Sequence, residues 1–240
     1  MTVKSDILRY ASSNKVFTKR KLTDCLAGNP AKPVAARSVS QELDNLVRAN
    51  TLTRIQRGIY TVTKNSKPEF FYPVSTVLTQ LNAQIKAQFP FASICMWDSA
   101  VFPPLMHHIP MLNYIYADAE RDAMDAVFNF LKDSLGANVF LKPDRKVYDR
   151  YIAGTKAIIV RQLISESPLQ TVDGILTPKI EKILVDIAGD TEFDFLQGTE
   201  IYRVYKNVIE KFNINKTKML RYASRRNRRK IVERLYSESI

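Results

Sequence analysis

Residues 33–62, PVAARSVSQELDNLVRANTLTRIQRGIYTV, decide how the rest of the chain is read. Over 35–50 the apolar residues recur with a helical period. At about 100° per residue, Ala36, Val39, Leu43, Leu46 and Val47 share one face, and Val34, Arg37, Gln41, Asp44, Asn45 and Arg48 fall on the other. One face packs and the other is free to read a partner. Residues 52–55 and 59–62 then alternate apolar with polar around Gln56-Arg57-Gly58, a hairpin signal with glycine at the tight position. In front of this stretch, Ile7, Leu8 and Ala11 stand at helical spacing in 5–12, and Thr18 can cap a second helix that holds Leu22, Cys25 and Leu26. Three helices followed by a hairpin is the order of a winged helix-turn-helix, which lays its third helix in the major groove of DNA.

The charge is unevenly spread. Of a net +12, residues 1–64 carry +8, residues 65–215 carry −3 and residues 216–240 carry +7. Local Lys/Arg density at the two ends points to a polyanion partner, because phosphate contacts need clustered cations; the bland alternative is that the charge serves solubility. The two cysteines, Cys25 and Cys95, sit among apolar neighbours and read as small buried side chains in a reducing compartment. There is no signal-peptide run and no stretch of ~20 apolar residues, so a cytoplasmic chain without membrane contact is expected.

The expected organisation is α+β: a winged helix-turn-helix over 1–64, a mixed α/β domain over 69–215, and a basic helical tail over 216–240 packed on or extending the second domain. The polar run 63–68, ending in Pro68, marks the boundary. Beyond it a helix is expected over 73–89 and another over 120–135. Strands are expected over 93–97, 113–116, 138–141, 157–161 and 169–172. Thr177-Pro178 reads as a cap followed by proline at the first helical position. Further helical segments follow over 199–212 and 216–237.

Arg37, Gln41 and Asn45 are the expected base-reading residues, since Arg can pair two hydrogen bonds with guanine and Gln or Asn with adenine. Lys19, Arg20, Lys21, Arg48, Arg54 and Arg57 are expected to contact phosphates, which positions the protein without specifying sequence. Arg221, Arg225, Arg228 and Arg229 share a stripe if the tail helix is continuous, and would face DNA or a partner. The alternative for each set is a solvated helix face. His107 and His108 have no zinc-like spacing around them. Asp98 and Ser99 read as a helix cap rather than an acid and nucleophile. Asp118, Glu120, Asp122 and Asp125 would be the metal ligands of an alternative reading, a nuclease-like enzyme. No phosphate-cradling glycine loop occurs. The reading is therefore of a non-enzymatic protein without cofactor or metal, with double-stranded DNA as partner.

Three segments carry a family resemblance: Arg57-Gly58-Ile59-Tyr60 in the hairpin, LTPKIEKILVDI over 176–187, and LRYASRR over 220–226. With Ile94 to Ser99 and His108 they resemble the AbiEi-type antitoxins of bacterial abortive-infection toxin-antitoxin systems. The resemblance implies a transcriptional autoregulator that binds its own promoter and counteracts a nucleotidyltransferase toxin, without requiring a stable complex with it. The proline-containing insert over 29–33 departs from the family pattern. A non-enzymatic interaction protein with a basic tail is the third alternative.

Overall fold

Thr2 and Ser5 close a capping box: the Thr2 side chain accepts the Ser5 N–H at 3.3 Å and Ser5 Oγ accepts the Thr2 N–H at 3.1 Å, which starts α1 (Val3–Ser13). The chain then forms β1 (Val16–Thr18), α2 (Lys19–Ala27), α3 (Ala36–Arg48), β2 (Leu52–Gln56) and β3 (Ile59–Val62). Thr18 caps α2 by accepting the Lys21 N–H at 3.2 Å, as its position predicts. The strands form an antiparallel sheet in the order β1-β3-β2, with the register shifted between Arg54 and Gln56. Gly58, at φ 78°, makes the hairpin turn in a conformation open to a residue without Cβ. The core here is Ile7, Ala11, Phe17, Leu22, Val39, Leu43, Leu46, Leu52 and Tyr60, closed by Phe17 between Tyr10 and the Tyr60 ring.

The computed structural model describes residues 2–28, 34–49, 51–62, 67–106, 113–136, 138–196 and 198–240. It comprises two compact units, Met1–Phe71 with Lys211–Asn213, and Tyr72–Glu210 with Ile214–Ile240. In the first unit Phe70 meets Phe212 edge to face at 5.4 Å, and Pro68 C=O accepts the Asn213 N–H at 2.8 Å.

The second unit is mixed α and β. It runs through α4 (Thr76–Gln88), β4 (Ile94–Asp98), β5 (Asn113–Ala119), α5 (Arg121–Leu135), β6 (Val139–Leu141), and the single turn α6 (Arg145–Val147), which continues as π-helix over Tyr148–Ile152. β7 (Lys156–Gln162) follows, then the hairpin β8 (Leu169–Val172) and β9 (Ile175–Pro178), α7 (Ile180–Ile187), α8 (Thr199–Lys211), α9 (Lys216–Arg225) and α10 (Arg229–Glu238). The main sheet has the order β4-β5-β7-β6, with β4 antiparallel to β5 and β5, β7 and β6 mutually parallel. Its core is aromatic: Trp97 stacks on Tyr116 at 4.2 Å and on Phe193 at 5.9 Å. Among the described residues no helix is long and apolar enough to cross a membrane.

Several expectations are corrected. Thr177 and Pro178 do not open a helix; they end β9, where Thr177 Oγ1 donates to Gln170 C=O, and α7 starts after Lys179. Pro178 is tolerated there because a two-stranded hairpin has free edges that need no further donor. The turn is Asp173-Gly174, at φ 53° and 79°, an Asp-Gly hairpin signal that the sequence reading passed over. The tail is not one helix. α9 ends in a Schellman motif, with Asn227 at φ 55°, its N–H bonded to Ser224 C=O at 3.1 Å and the Arg228 N–H to Ala223 C=O at 2.8 Å. Cys25 is exposed, whereas Cys95 is buried. Val34 precedes α3 and is buried rather than on its free face. The insert over 29–33 and the pair His107 and His108 lie outside the described residues.

Candidate functional site

The first unit offers a basic surface built on α3. Val39, Leu43 and Leu46 pack inward, which leaves Arg37, Gln41, Asn45 and Arg48 exposed along the opposite face. Asn45 Nδ2 donates to Glu42 at 3.3 Å. Arg54 and Arg57 are exposed on the β2–β3 hairpin, and so are Arg20 and Lys21 on α2, while Lys19 is half-buried. Arg20 lies 4.0 Å from Asp24, an exposed pair of small energetic weight. The Lys19 N–H donates to Gly58 C=O at 2.7 Å. That bond brings the basic start of α2 beside the hairpin turn that carries Arg57.

The residues of the tail diverge. Arg221 pairs with Glu166 and Arg229 with Glu233, both at exposed sites, and Arg225 is exposed. Arg228 turns inward to Asp190 at 2.8 Å because the αL residue before it ends the helix and redirects the chain. The four arginines therefore do not form one stripe. The acids of the nuclease alternative diverge as well: Asp118 is buried in β5, whereas Glu120, Asp122 and Asp125 face solvent. Among the described residues no group of three or more His, Cys, Asp or Glu could hold a metal ion.

What the second unit does assemble is a buried ion-pair array that the sequence reading missed. Asp118 and Arg161 are register partners on the parallel strands β5 and β7, so their side chains emerge on one face. They pair through two bonds, 2.7 and 3.1 Å. Lys182 and Asp186, one turn apart on α7, complete the centre: Lys182 Nζ is 2.6 Å from both Asp118 and Asp186. Asp186 also accepts from Arg161 at 3.2 Å, Arg226 at 2.6 Å and the Tyr222 hydroxyl at 2.8 Å. Asp190 and Glu192 accept further bonds from Arg161, and Arg226 chelates Asp190. Trp97 Nε1 donates to Asp118 at 3.1 Å, and the Arg161 guanidinium lies over the Tyr116 ring at 4.8 Å.

With Arg228, which also holds Asp190, four carboxylates thus meet four cations in a largely buried setting. Burial alone would raise the Asp118 and Asp186 carboxyls, but the adjacent cations outweigh it, Arg161 first for Asp118 and Lys182 first for Asp186, and hold both below the usual range. Asp190 goes the other way: burial and the charge of Asp186 raise it. Burial, with the nearby Asp186 carboxylate, pushes the Tyr222 hydroxyl up to about 12. Each such ion costs several kcal/mol to desolvate, which makes the array an expensive route to stability.

A signal for it was present in the sequence. All eight residues of α7 are buried, and within that apolar helix Lys182 and Asp186 stand at i and i+4, charges where a packed helix has no use for solvated side chains. The segments 176–187 and 220–226 contain Lys182, Asp186, Tyr222 and Arg226.

A search of the curated proteins returned no significant match. Residues 38–240 match a family of unknown function (DUF6577), a span that takes in α3 from its third residue, the β2–β3 hairpin and the whole second unit. Since that is well over half of the sequence, the chain belongs to this family.

Proposed function

We propose that the first unit is a winged helix-turn-helix and that the protein binds double-stranded DNA in a sequence-dependent way, with α3 in the major groove. The observation that carries this reading is the division of α3 into a buried stripe and an exposed polar face. Arg37, Gln41 and Asn45 on that face are followed at once by a hairpin bearing Arg54 and Arg57. The half-buried Lys19 and the exposed Arg20, Lys21, Arg48, Arg54 and Arg57 supply phosphate contacts, and the exposed tail residues Arg221, Arg225 and Arg229 face DNA or a partner. The resemblance of residues 57–60, 176–187 and 220–226 to AbiEi-type antitoxins extends the reading to a cytoplasmic, non-enzymatic autoregulator that represses its own promoter and counteracts a nucleotidyltransferase toxin.

Titration of labelled upstream DNA against random duplex tests the DNA reading. Arg37→Ala or Gln41→Ala should cost about 1–3 kcal/mol on the cognate site and less on random DNA. Equal losses on both would remove these residues from base reading. The antitoxin role is tested by co-expression with a neighbouring nucleotidyltransferase, whose growth arrest the protein should relieve.

A further inference from the structure

The ion-pair array borders a pocket of about 340 Å³, within the lower range of small-molecule sites, about 300–1,000 Å³. Asp118, Lys142 and Arg161 line it from the carboxyl ends of β5, β6 and β7, and Arg226 and Arg228 line it from the C-terminal helices. The crevice outside the carboxyl ends of parallel strands is where α/β sheets take their ligands. Five bases and three carboxylates face this space. The carboxylates are all spoken for: Asp118 by Arg161 and Lys182, Asp190 by Arg161, Arg226 and Arg228, and Glu192 by Arg161. A cation would find no free ligand among these three.

An anion would. The Lys142 side chain is exposed and has no carboxylate partner among the described residues. Its backbone is held at φ 41°, a region rarely used by residues other than glycine, by an N–H bond to Val160 C=O at 2.9 Å. Arg228 Nη2 holds Asp190, yet its Nη1 is buried with no hydrogen-bond partner among the described residues, a costly arrangement for a guanidinium. That Nη1 packs over Gly189, where a Cβ would stand only 2.5 Å away. Arg228 itself lines the pocket, so its guanidinium borders the space an incoming oxygen would enter. Arg161, Arg226 and Arg228 are only 12%, 18% and 22% exposed, too recessed for a duplex backbone.

We propose that this pocket binds a small phosphate monoester, its phosphate held by Lys142 and Arg228 at the mouth of the ion-pair array. The proposal is independent of the DNA reading. Isothermal titration of the full chain with inorganic phosphate, AMP and adenosine tests it. Phosphate and AMP should bind at one site and adenosine should not. Lys142→Met should weaken AMP about tenfold or more while leaving the ligand-free melting temperature unchanged, because the side chain is exposed. Gly189→Ala should weaken it too, since the new Cβ displaces Arg228. Absence of binding by phosphate and AMP, an unchanged affinity in Lys142→Met, or displacement of AMP by duplex DNA would each overturn the proposal.

Discussion

Asp186 accepts hydrogen bonds from Lys182, Arg161, Arg226 and the Tyr222 hydroxyl, and its side chain has no exposed surface. Removing its charge leaves four cations, Arg161, Lys182, Arg226 and Arg228, sharing Asp118, Asp190 and Glu192. Asp186→Asn should therefore destabilise the second unit by about 3–5 kcal/mol in urea denaturation at neutral pH, the usual cost of breaking a buried pair from one side. A loss under 1 kcal/mol would mean that the array relaxes to admit water. The same residue predicts the acid limb. A carboxyl held below its unfolded value of about 3.9 contributes stability above that pH and loses it as the pH falls through the folded value. Asp118 acts in the same direction and Asp190, raised in the folded state, acts in the opposite one. Stability should thus drop as the pH falls below about 4; Asp190, which takes its proton in the folded state first, adds stability as the pH falls towards 4, a gain that Asp190→Asn should lack.

At the scale of elements, the break between α9 and α10 decides where the tail arginines go. Asn227 holds φ 55° and lets the Schellman bonds form, after which Arg228 points to Asp190 instead of continuing the α9 surface. A β-branched residue is strained there. Asn227→Val should cost about 1–2 kcal/mol of stability, whereas Asn227→Gly should be neutral or stabilising. Chemical denaturation of both variants checks this, and equal effects would show that side-chain contacts of Asn227, not its backbone, matter.

At the scale of the whole molecule, the two units have separate cores. Deleting 216–240 removes Tyr222, Arg226 and Arg228 from the ion-pair array but retains Phe212, which packs on Phe70 in the first unit. The truncated protein should lose the native fluorescence of Trp97, the single tryptophan and a buried member of the second core, while amides of α1 and α3 keep their exchange protection. Simultaneous loss of both would make the chain one cooperative unit.

Local signals carried much of the fold by themselves. The stripe Val39, Leu43, Leu46, the cap at Thr18 and the glycine turn at Gly58 each act within a few residues, so periodicity and turn chemistry predict α3, α2 and the β2–β3 hairpin. The alternation of strands and helices in the second unit was legible as far as β8, but β9 and the break between α9 and α10 were not. Pairing was not: Asp118 meets Arg161 across 43 positions and Lys182 across 64, and no spacing announces contacts between residues so far apart. Arg226 reads as one more cation in a basic run until Asp186 and Asp190 are placed against it. Sequence determined which segments fold and which faces they bury. Only the tertiary structure decided which charges leave water, because the Coulomb attraction that offsets desolvation depends on distances set by the packing of β5, β7, α7 and α9.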